Sequence, residues 1–143
     1  MAQIATPDWT TRTAKALVLI RILVGWVFVS EGVQKFVFPA QLGVGRFEKI
    51  GIPSPHFMAP FVGSVEIVCG LLLLIGLFTR VAVVPLLGVI LVAIATTKLS
   101  MITKSGLWSM LHEARTDFSM LLGLVFLLIT GPGTLSLDGR RRR

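Results

Sequence analysis

The sequence predicts an all-α fold, a four-helix transmembrane bundle, from its composition, the length of its apolar stretches and the placement of helix-breaking residues. The 143 residues are 54% hydrophobic and the mean hydropathy is +0.84, whereas soluble domains average about 45–50% apolar residues. Only 15% of the residues are charged, against about 25% in a soluble domain. So few charges cannot cover a protein of this size, and the apolar surface must therefore face lipid.

Four apolar stretches supply the predicted helices, over residues 16–38, 57–78, 81–99 and 111–130. Each is close to the roughly 20 residues that a helix needs to cross a bilayer. The stretches are continuous rather than alternating, and a closed barrel would need more of them, so strands are not expected. We therefore predict a single membrane domain that ends in a basic tail over residues 138–143.

Prolines and glycines mark the predicted connectors. Pro39 follows the first stretch and Pro53 precedes the second. Pro132, between two glycines, ends the fourth, because proline cannot continue a helix. Residues 79–80 are expected to form a very tight link, and residues 100–110 a longer one at the membrane interface. Between the first two spans, residues 41–50 are predicted to form a short helix on the membrane surface.

The charge distribution argues for a membrane orientation and against nucleic acid. Of the fourteen basic residues, four are the terminal arginines, and no basic face carries interleaved aromatic residues. With four spans both termini lie on one side, which collects seven basic residues against five on the other. We therefore expect a multi-pass protein of a bacterial cytoplasmic (inner) membrane with both termini in the cytoplasm. The single cysteine, Cys69, excludes an internal disulfide.

This topology places the ionisable residues of all four helices in the outer half of the membrane. Arg21 is the exception, and it is expected to snorkel to the cytoplasmic face. A charge at a helix centre costs about 2.5–3.5 kcal/mol on insertion scales, so pairing between opposite charges is expected. The four carboxylates outnumber the three cations, so one carboxylate has no partner in such pairing. The outer cluster contains the carboxylates Glu31, Glu66, Glu113 and Asp117 and the cations Lys35, Lys98 and Arg115.

Residue spacing indicates which helix faces point into the bundle. Glu31 and Lys35 are four residues apart on one face, as are Glu113 and Asp117. Charged residues share two stripes with glycines, which allow close helix approach. The stripes are Arg21, Gly25, Phe28, Gly32 and Lys35 on the first span, and Gly63, Glu66 and Gly70 on the second.

These residues define a candidate pocket in the outer half, apolar below and lined with acids and bases above. Such a pocket suits a lipophilic, hydrogen-bonding ligand such as a quinone. We predict Glu66, Glu113 and Asp117 as catalytic residues that move protons. The predicted ligand-binding residues are Glu31, Lys35, His112 and Arg115. The spacing specifies no metal site, and the nearby cations disfavour one.

A structural interpretation of the same charges stays open. Glu31 and Lys35 could form a pair that pins the first and fourth helices, while His112 and Lys98 could mark the membrane interface. Glu66 is the hardest to explain in this way, because its polar partners lie only on other helices. Ionisable groups inside a membrane are by default candidates for function.

Four sequence segments resemble the motifs of the DoxX family of small four-helix membrane proteins. The first, residues 21–36, contains an arginine, glycine, phenylalanine, glycine, lysine pattern. Gly51-Ile52-Pro53 resembles the family's loop motif, and residues 66–80 resemble its second-span signature. Residues 131–138, which contain Gly-Pro-Gly and end at Asp138, resemble its closing motif. In order, the motifs cover nearly the whole chain.

The resemblance implies a membrane subunit linked to redox chemistry. Relatives include quinone-reducing thiosulfate oxidoreductase subunits, and others are proposed to dock soluble thiol or superoxide enzymes at the membrane. Here the expected ligand is a quinone with no covalently bound cofactor, and electrons would come from a soluble or membrane partner. The alternative is a non-catalytic anchor or scaffold for a partner protein. Whether the chain catalyses a reaction, and its oligomeric state, stay open.

Overall fold

In the computed structural model, residues 8–141 are described, with side chains from Arg12 to Arg140, and this part of the chain is helical without strands. The structure confirms the predicted all-α membrane bundle. The last arginines of the predicted tail have side chains outside the described residues. The helices are α1 (Asp8–Val37), α2 (Val44–Lys49), α3 (Pro55–Ile75), α4 (Thr79–Ala93), a π-helical turn (Ile94–Lys98), α5 (Leu99–Thr130) and α6 (Leu137–Arg141).

Within the described residues, three helical stretches are long and apolar enough to cross a membrane: Arg12–Val37, Pro55–Ile75 and Thr79–Thr130. The third, at 52 residues, breaks at Gly106, where φ is 80° and ψ is 168°. On a straight helix Lys98 and Asp117 would lie about 28 Å apart, yet their charged atoms are 3.2 Å apart. The chain therefore reverses at Gly106. We call residues 107–130 the return arm, because they run back antiparallel to α4.

The connectors differ from the sequence prediction in two places. Residues 100–110 are helical up to the break at Gly106, and hydroxyls there bond to the helix itself, as from Thr103 Oγ1 to the Ser100 carbonyl at 3.0 Å. The predicted tight link at residues 79–80 instead lies inside α4. The turn is formed by Gly76, Leu77 and Phe78, with Gly76 at φ 70° and Phe78 at φ 48°.

Paired glycines bring α1 and α3 into contact along the two predicted stripes. A Cβ atom on Gly32 would lie 2.6 Å from the Gly63 carbonyl oxygen, and one on Gly25 would lie 2.8 Å from that of Gly70. Both distances are too short for any real side chain, so the two backbones touch. The predicted close approach of the first two spans is confirmed, and the charged members of the stripes are carried into the bundle with the glycines.

The apolar core is formed by α1, α3, α4 and the return arm. A Cβ atom on Gly123 would lie 2.6 Å from Val24 Cγ2, so α1 and the return arm pack at this level. Large apolar side chains on the outer faces of the helices, such as Leu91 and Leu122, are about half exposed and suit contact with lipid. The buried core residues are Val24, Phe28, Leu73, Ala82, Val83, Leu86, Ile90, Met120, Leu124 and Leu127.

Arg21 does not snorkel to the membrane surface as the sequence predicted. Its side chain is 2% exposed, and its guanidinium donates hydrogen bonds to the carbonyls of Pro132 at 2.6 Å and Leu135 at 2.8 Å. The segment after the return arm folds over the bundle end and supplies these carbonyls. Arg21 therefore bonds to backbone carbonyls inside the protein instead of extending its side chain to water.

Asp138 fixes the same segment to the turn between α3 and α4. Its carboxylate accepts hydrogen bonds from the backbone N–H groups of Phe78 and Thr79, both at 3.0 Å. Its own N–H donates to the Gly76 carbonyl at 3.0 Å. Asp138 thus caps the N-terminus of α4 from a distant part of the chain, where an acid also interacts favourably with the helix dipole.

Candidate functional site

The seven residues predicted for the site lie in the same half of the bundle, but they are divided between two seams and the exposed helix surfaces. We call this half the α2 half, because α1 ends there at Val37 and α3 begins there at Pro55. The opposite end holds α6 and the start of α1. Lys35 and Glu66 meet between α1 and α3, Asp117 meets α4, and the others lie on the α1 and return-arm surfaces.

A buried ion pair joins α1 to α3. Lys35 Nζ lies 2.6 Å from Glu66 Oε2, and the two side chains are 11% and 5% exposed. Lys35 Nζ also lies 4.0 Å from Glu31 Oε2 and donates to the Glu31 carbonyl at 3.4 Å. Helical side chains lean toward the helix N-terminus, so Lys35 and Glu66, on antiparallel helices, lean toward each other. Close contact at Gly32 lets them meet.

A second ion pair joins α4 to the return arm. Lys98 Nζ lies 3.2 Å from Asp117 Oδ2, with the side chains 11% and 25% exposed. Lys98 ends the π-helical turn, a local widening that often accompanies functional sites. In the same turn Thr97 Oγ1 donates to the Ala93 carbonyl at 2.6 Å. Lys98 is therefore a buried partner of a predicted site residue rather than a marker of the membrane interface.

His112 and Arg115 lie together on the exposed surface of the return arm. Arg115 Nη1 is 2.9 Å from His112 Nδ1, and Ser119 Oγ donates to the Arg115 carbonyl at 2.8 Å. Among the described side chains, no carboxylate pairs with the Arg115 guanidinium. This cation is therefore available to an acceptor on a ligand.

Glu113 is exposed and lies apart from both buried ion pairs. It borders an open depression of about 450 Å³ beside the break at Gly106. The depression is also lined by Met101, Ser105, Trp108, Ser109 and His112. The predicted acid pair Glu113 and Asp117 therefore shares a helix but not a pocket: Asp117 points to Lys98, whereas Glu113 borders this depression.

An open groove of about 500 Å³ runs between α1 and the return arm. Ser119 is the polar residue in its lining, which is otherwise apolar: Ile20, Leu23, Leu122, Gly123, Val125, Phe126 and Ile129. Continued toward the α2 half, the α1 side of the groove reaches Ser30 and Gln34, which the sequence analysis did not select. Gln34 Nε2 donates to Ser30 Oγ at 2.9 Å. Their spacing of seven and eleven residues from Leu23 could have indicated that they share its face.

The polar groups of the α2 half offer hydrogen-bond donors and acceptors with nearly balanced charge. Each ion pair is neutral in itself, and the remaining charged side chains of this half are Arg46, Lys49, Lys104 and Arg115 against Glu31, Glu48 and Glu113. This arrangement can bind a neutral head group through both donated and accepted hydrogen bonds. Among the described residues, no three His, Cys, Asp or Glu side chains form a cluster that could hold a metal ion.

An apolar helical bundle with two ion pairs between its helices in one half defines a helical integral membrane protein. More particularly, the chain belongs to the DoxX family, whose model matches residues 16–99. The matched region contains α1 from residue 16 onward, α2 to α4 and the π-helical turn, and hence both partners of the Lys35–Glu66 pair. The return arm, with His112, Glu113, Arg115 and Asp117, follows the matched region.

Two curated relatives extend the similarity into the return arm. Uncharacterized membrane protein Rv3486 of Mycobacterium tuberculosis is 53% identical, over 95% of this chain and 90% of its own length. "Putative oxidoreductase CatD" of Bacillus subtilis is 32% identical, over 84% of this chain and 82% of its own length. No solved structure matches the chain significantly.

Proposed function

We propose that the chain is the membrane subunit of a redox system, which binds a quinone in the α2 half and works with a partner that donates electrons. The observation that carries the proposal is the buried Lys35–Glu66 pair, with a half-exposed Glu31 next to it. Ionisable groups are costly inside a membrane and by default mark functional sites. The similarity to a relative named as an oxidoreductase supports the redox class.

Reduction of a quinone to a quinol takes two electrons and two protons. In the proposed system the electrons come from the partner, because the sequence has a single cysteine and no recognisable cofactor motif. The acids Glu66, Glu113 and Asp117 supply protons. Lys35 or Arg115 stabilises the negative charge that develops on the quinone oxygens. Glu31, Lys35 and Glu66 form a continuous series of charged groups from the bundle surface to the α1–α3 seam, which suits proton delivery.

The experiment is a comparison of Glu66→Gln with Glu48→Gln in the complex extracted from its own membrane. Glu48 is an exposed acid on α2 and is not one of the proposed site residues, so its variant makes the same chemical change outside them. We expect Glu66→Gln to lower quinone turnover at least tenfold in a fully assembled complex, while Glu48→Gln keeps wild-type turnover. Equal turnover in the two variants would remove Glu66 from the mechanism.

A specific observation favours a second candidate function, that of a non-catalytic anchor for a partner protein. Among the described residues, the buried charges of Arg21, Glu66 and Lys98 all contact groups of the protein itself. In this interpretation the pairs hold the bundle together for assembly. The anchor predicts that Glu66→Gln lowers the amount of partner that co-purifies, with quinone binding absent from the wild type as well.

We also propose that both termini face the cytoplasm of a bacterial cell, so that the α2 half is the outer half. The excess of basic residues at the terminal end supports this orientation. Single cysteines at Ser54, Ser105 and Lys15 in a Cys69→Ser background test it with a membrane-impermeant maleimide on intact cells. We expect labelling at Ser54→Cys and Ser105→Cys but not at Lys15→Cys, and the opposite pattern would reverse the orientation.

A further inference from the structure

We infer that the groove between α1 and the return arm holds the ligand, with its apolar chain between Leu23 and Leu122 and its head group at Arg115. The inference rests on the proposed function and assigns a place to the quinone. It also separates the surface that binds the ligand from the buried ion pairs that were first predicted as part of the same pocket.

The register of the two helices places Glu31 and Arg115 at the same level of the bundle. Val24 and Gly123 are in contact across the seam, and the helices are antiparallel with the same rise per residue. Seven residues along α1 from Val24 is Glu31, and seven residues back along the return arm from Gly123 is Thr116. Glu31 and Arg115 therefore lie at nearly the same level, about 10 Å from the contact toward the α2 half.

The side chains along each wall of the groove change from apolar to polar toward the α2 half. On the return arm, residues spaced three and four apart form a single helix face. This face is apolar toward the α6 end of the bundle and polar toward the α2 half. The α1 wall changes in the same direction, from Ile20 and Leu23 to Ser30, Glu31 and Gln34. The return-arm face comprises Ile129, Phe126, Leu122, Ser119, Arg115 and His112.

Together the walls form an amphipathic groove that suits a molecule with a long apolar chain and a neutral, hydrogen-bonding head. Arg115 lacks a carboxylate partner among the described residues and can donate to one head-group carbonyl. Gln34, whose amide is 2.9 Å from Ser30 Oγ, can donate to a second. Glu31 next to this position disfavours an anionic phospholipid head group, because its charge would repel the phosphate.

The groove also connects the ligand to Glu66, one of the proposed proton donors. Glu31 lies at the upper end of the groove, half exposed, and its Oε2 is 4.0 Å from Lys35 Nζ. Lys35 in turn contacts Glu66 at 2.6 Å. The head group would therefore lie at the outer end of this series of charged groups, with no need to enter the α1–α3 seam.

The experiment measures the affinity of the full-length protein in nanodiscs for two benzoquinones, one with a decyl chain and one with no chain. Leu122→Trp fills the groove, and Leu23→Trp fills it from the opposite wall. Leu91→Trp on α4 is the matched control, because Leu91 and Leu122 are both 53% exposed. Arg115→Gln removes the charge from the proposed head-group contact.

We expect the groove variants to weaken binding of the decyl quinone about fivefold and to leave the chainless quinone within about twofold. The effect is moderate because lipid is as apolar as the groove, so only packing contacts are lost. Arg115→Gln should weaken both quinones by a similar factor, about tenfold, since it loses a charge-assisted hydrogen bond. Leu91→Trp should bind both quinones as the wild type does.

Two results would overturn the inference in distinguishable ways. If the wild type binds both quinones and the groove variants bind the decyl quinone as tightly as Leu91→Trp does, the proposed function stands and the groove is not the site; the groove would then hold ordinary acyl chains. If the wild type binds neither quinone, the proposed function fails and the inference fails with it.

Discussion

Lys35 Nζ and Glu66 Oε2 lie 2.6 Å apart between α1 and α3, and both side chains are almost fully buried. The contact depends on glycines: Gly32 and Gly63 let the two helices touch beside the pair. A buried charge without a partner is far more costly than a buried pair. The two residues should therefore be strongly coupled in both stability and function.

The coupling predicts a characteristic pattern in a double-mutant cycle. Lys35→Met leaves Glu66 without its cation, so we expect the free energy of unfolding to fall by about 3 kcal/mol. The double variant Lys35→Met with Glu66→Gln removes both charges and should be more stable than Lys35→Met alone. Steric trapping in bicelles measures these free energies. Additive effects of the two substitutions would show that the pair is not coupled.

The α1–α3 seam should not tolerate a side chain at Gly32. A Cβ atom there would lie 2.6 Å from a backbone oxygen, so Gly32→Ala must push the helices apart and should cost about 2 kcal/mol. Gly88→Ala on α4 is the control, because nothing lies within 4 Å of its Cβ position. There the higher helix propensity of alanine should stabilise the protein slightly. Equal melting temperatures for Gly32→Ala and Gly88→Ala would contradict the close contact of α1 and α3 at Gly32.

Arg21 should hold the segment after the return arm in place. Arg21→Met removes two hydrogen bonds donated by a buried cation and orphans the carbonyls of Pro132 and Leu135, so we expect a loss of about 3 kcal/mol. Hydrogen exchange measured by mass spectrometry should be faster across residues 131–140. Arg46→Met, at the other end of the bundle, should leave that exchange unchanged. Wild-type exchange in Arg21→Met would mean that other contacts hold the segment.

The Asp138 cap makes a separate, smaller contribution. Asp138→Ala exposes the backbone N–H groups of Phe78 and Thr79 at the start of α4 and should cost about 1 kcal/mol. Asp138→Asn keeps one acceptor oxygen but loses the charge, so its thermal stability should fall between that of the alanine variant and the wild type. If Asp138→Asn is less stable than Asp138→Ala, capping is not the role of Asp138.

Much of the fold follows from periodicity and composition, because a lipid environment leaves few alternatives to long apolar helices. The stripes Gly25–Gly32 and Gly63–Gly70 predict the α1–α3 seam, since small residues at helical spacing permit close contact. The break at Gly106 was harder to place. Hydroxyl groups that bond to their own helix let residues 100–105 stay helical, although their composition is typical of a connector.

The candidate site was predictable only in part. Topology indicates that the charged residues share one half of the bundle, which the structure bears out for Lys35, Glu66, Lys98 and Asp117. Spacing on single helices cannot show which helices face each other, so the partners of Glu66 and Asp117 required the tertiary structure. The prediction for Arg21 is wrong for the same reason: its partners are backbone carbonyls more than 100 residues away, and the sequence does not indicate which backbone carbonyls a side chain will meet.

Native mass spectrometry of the tagged protein, extracted gently from its own membrane, tests the central claim most directly. It measures bound quinone, lipid and partner subunits in the same spectrum. The account predicts an adduct with the mass of a quinone, retained by the wild type and depleted in Leu122→Trp, together with a redox partner. A protein that retains its partner and its phospholipids but carries no quinone would contradict the account and identify the chain as an anchor.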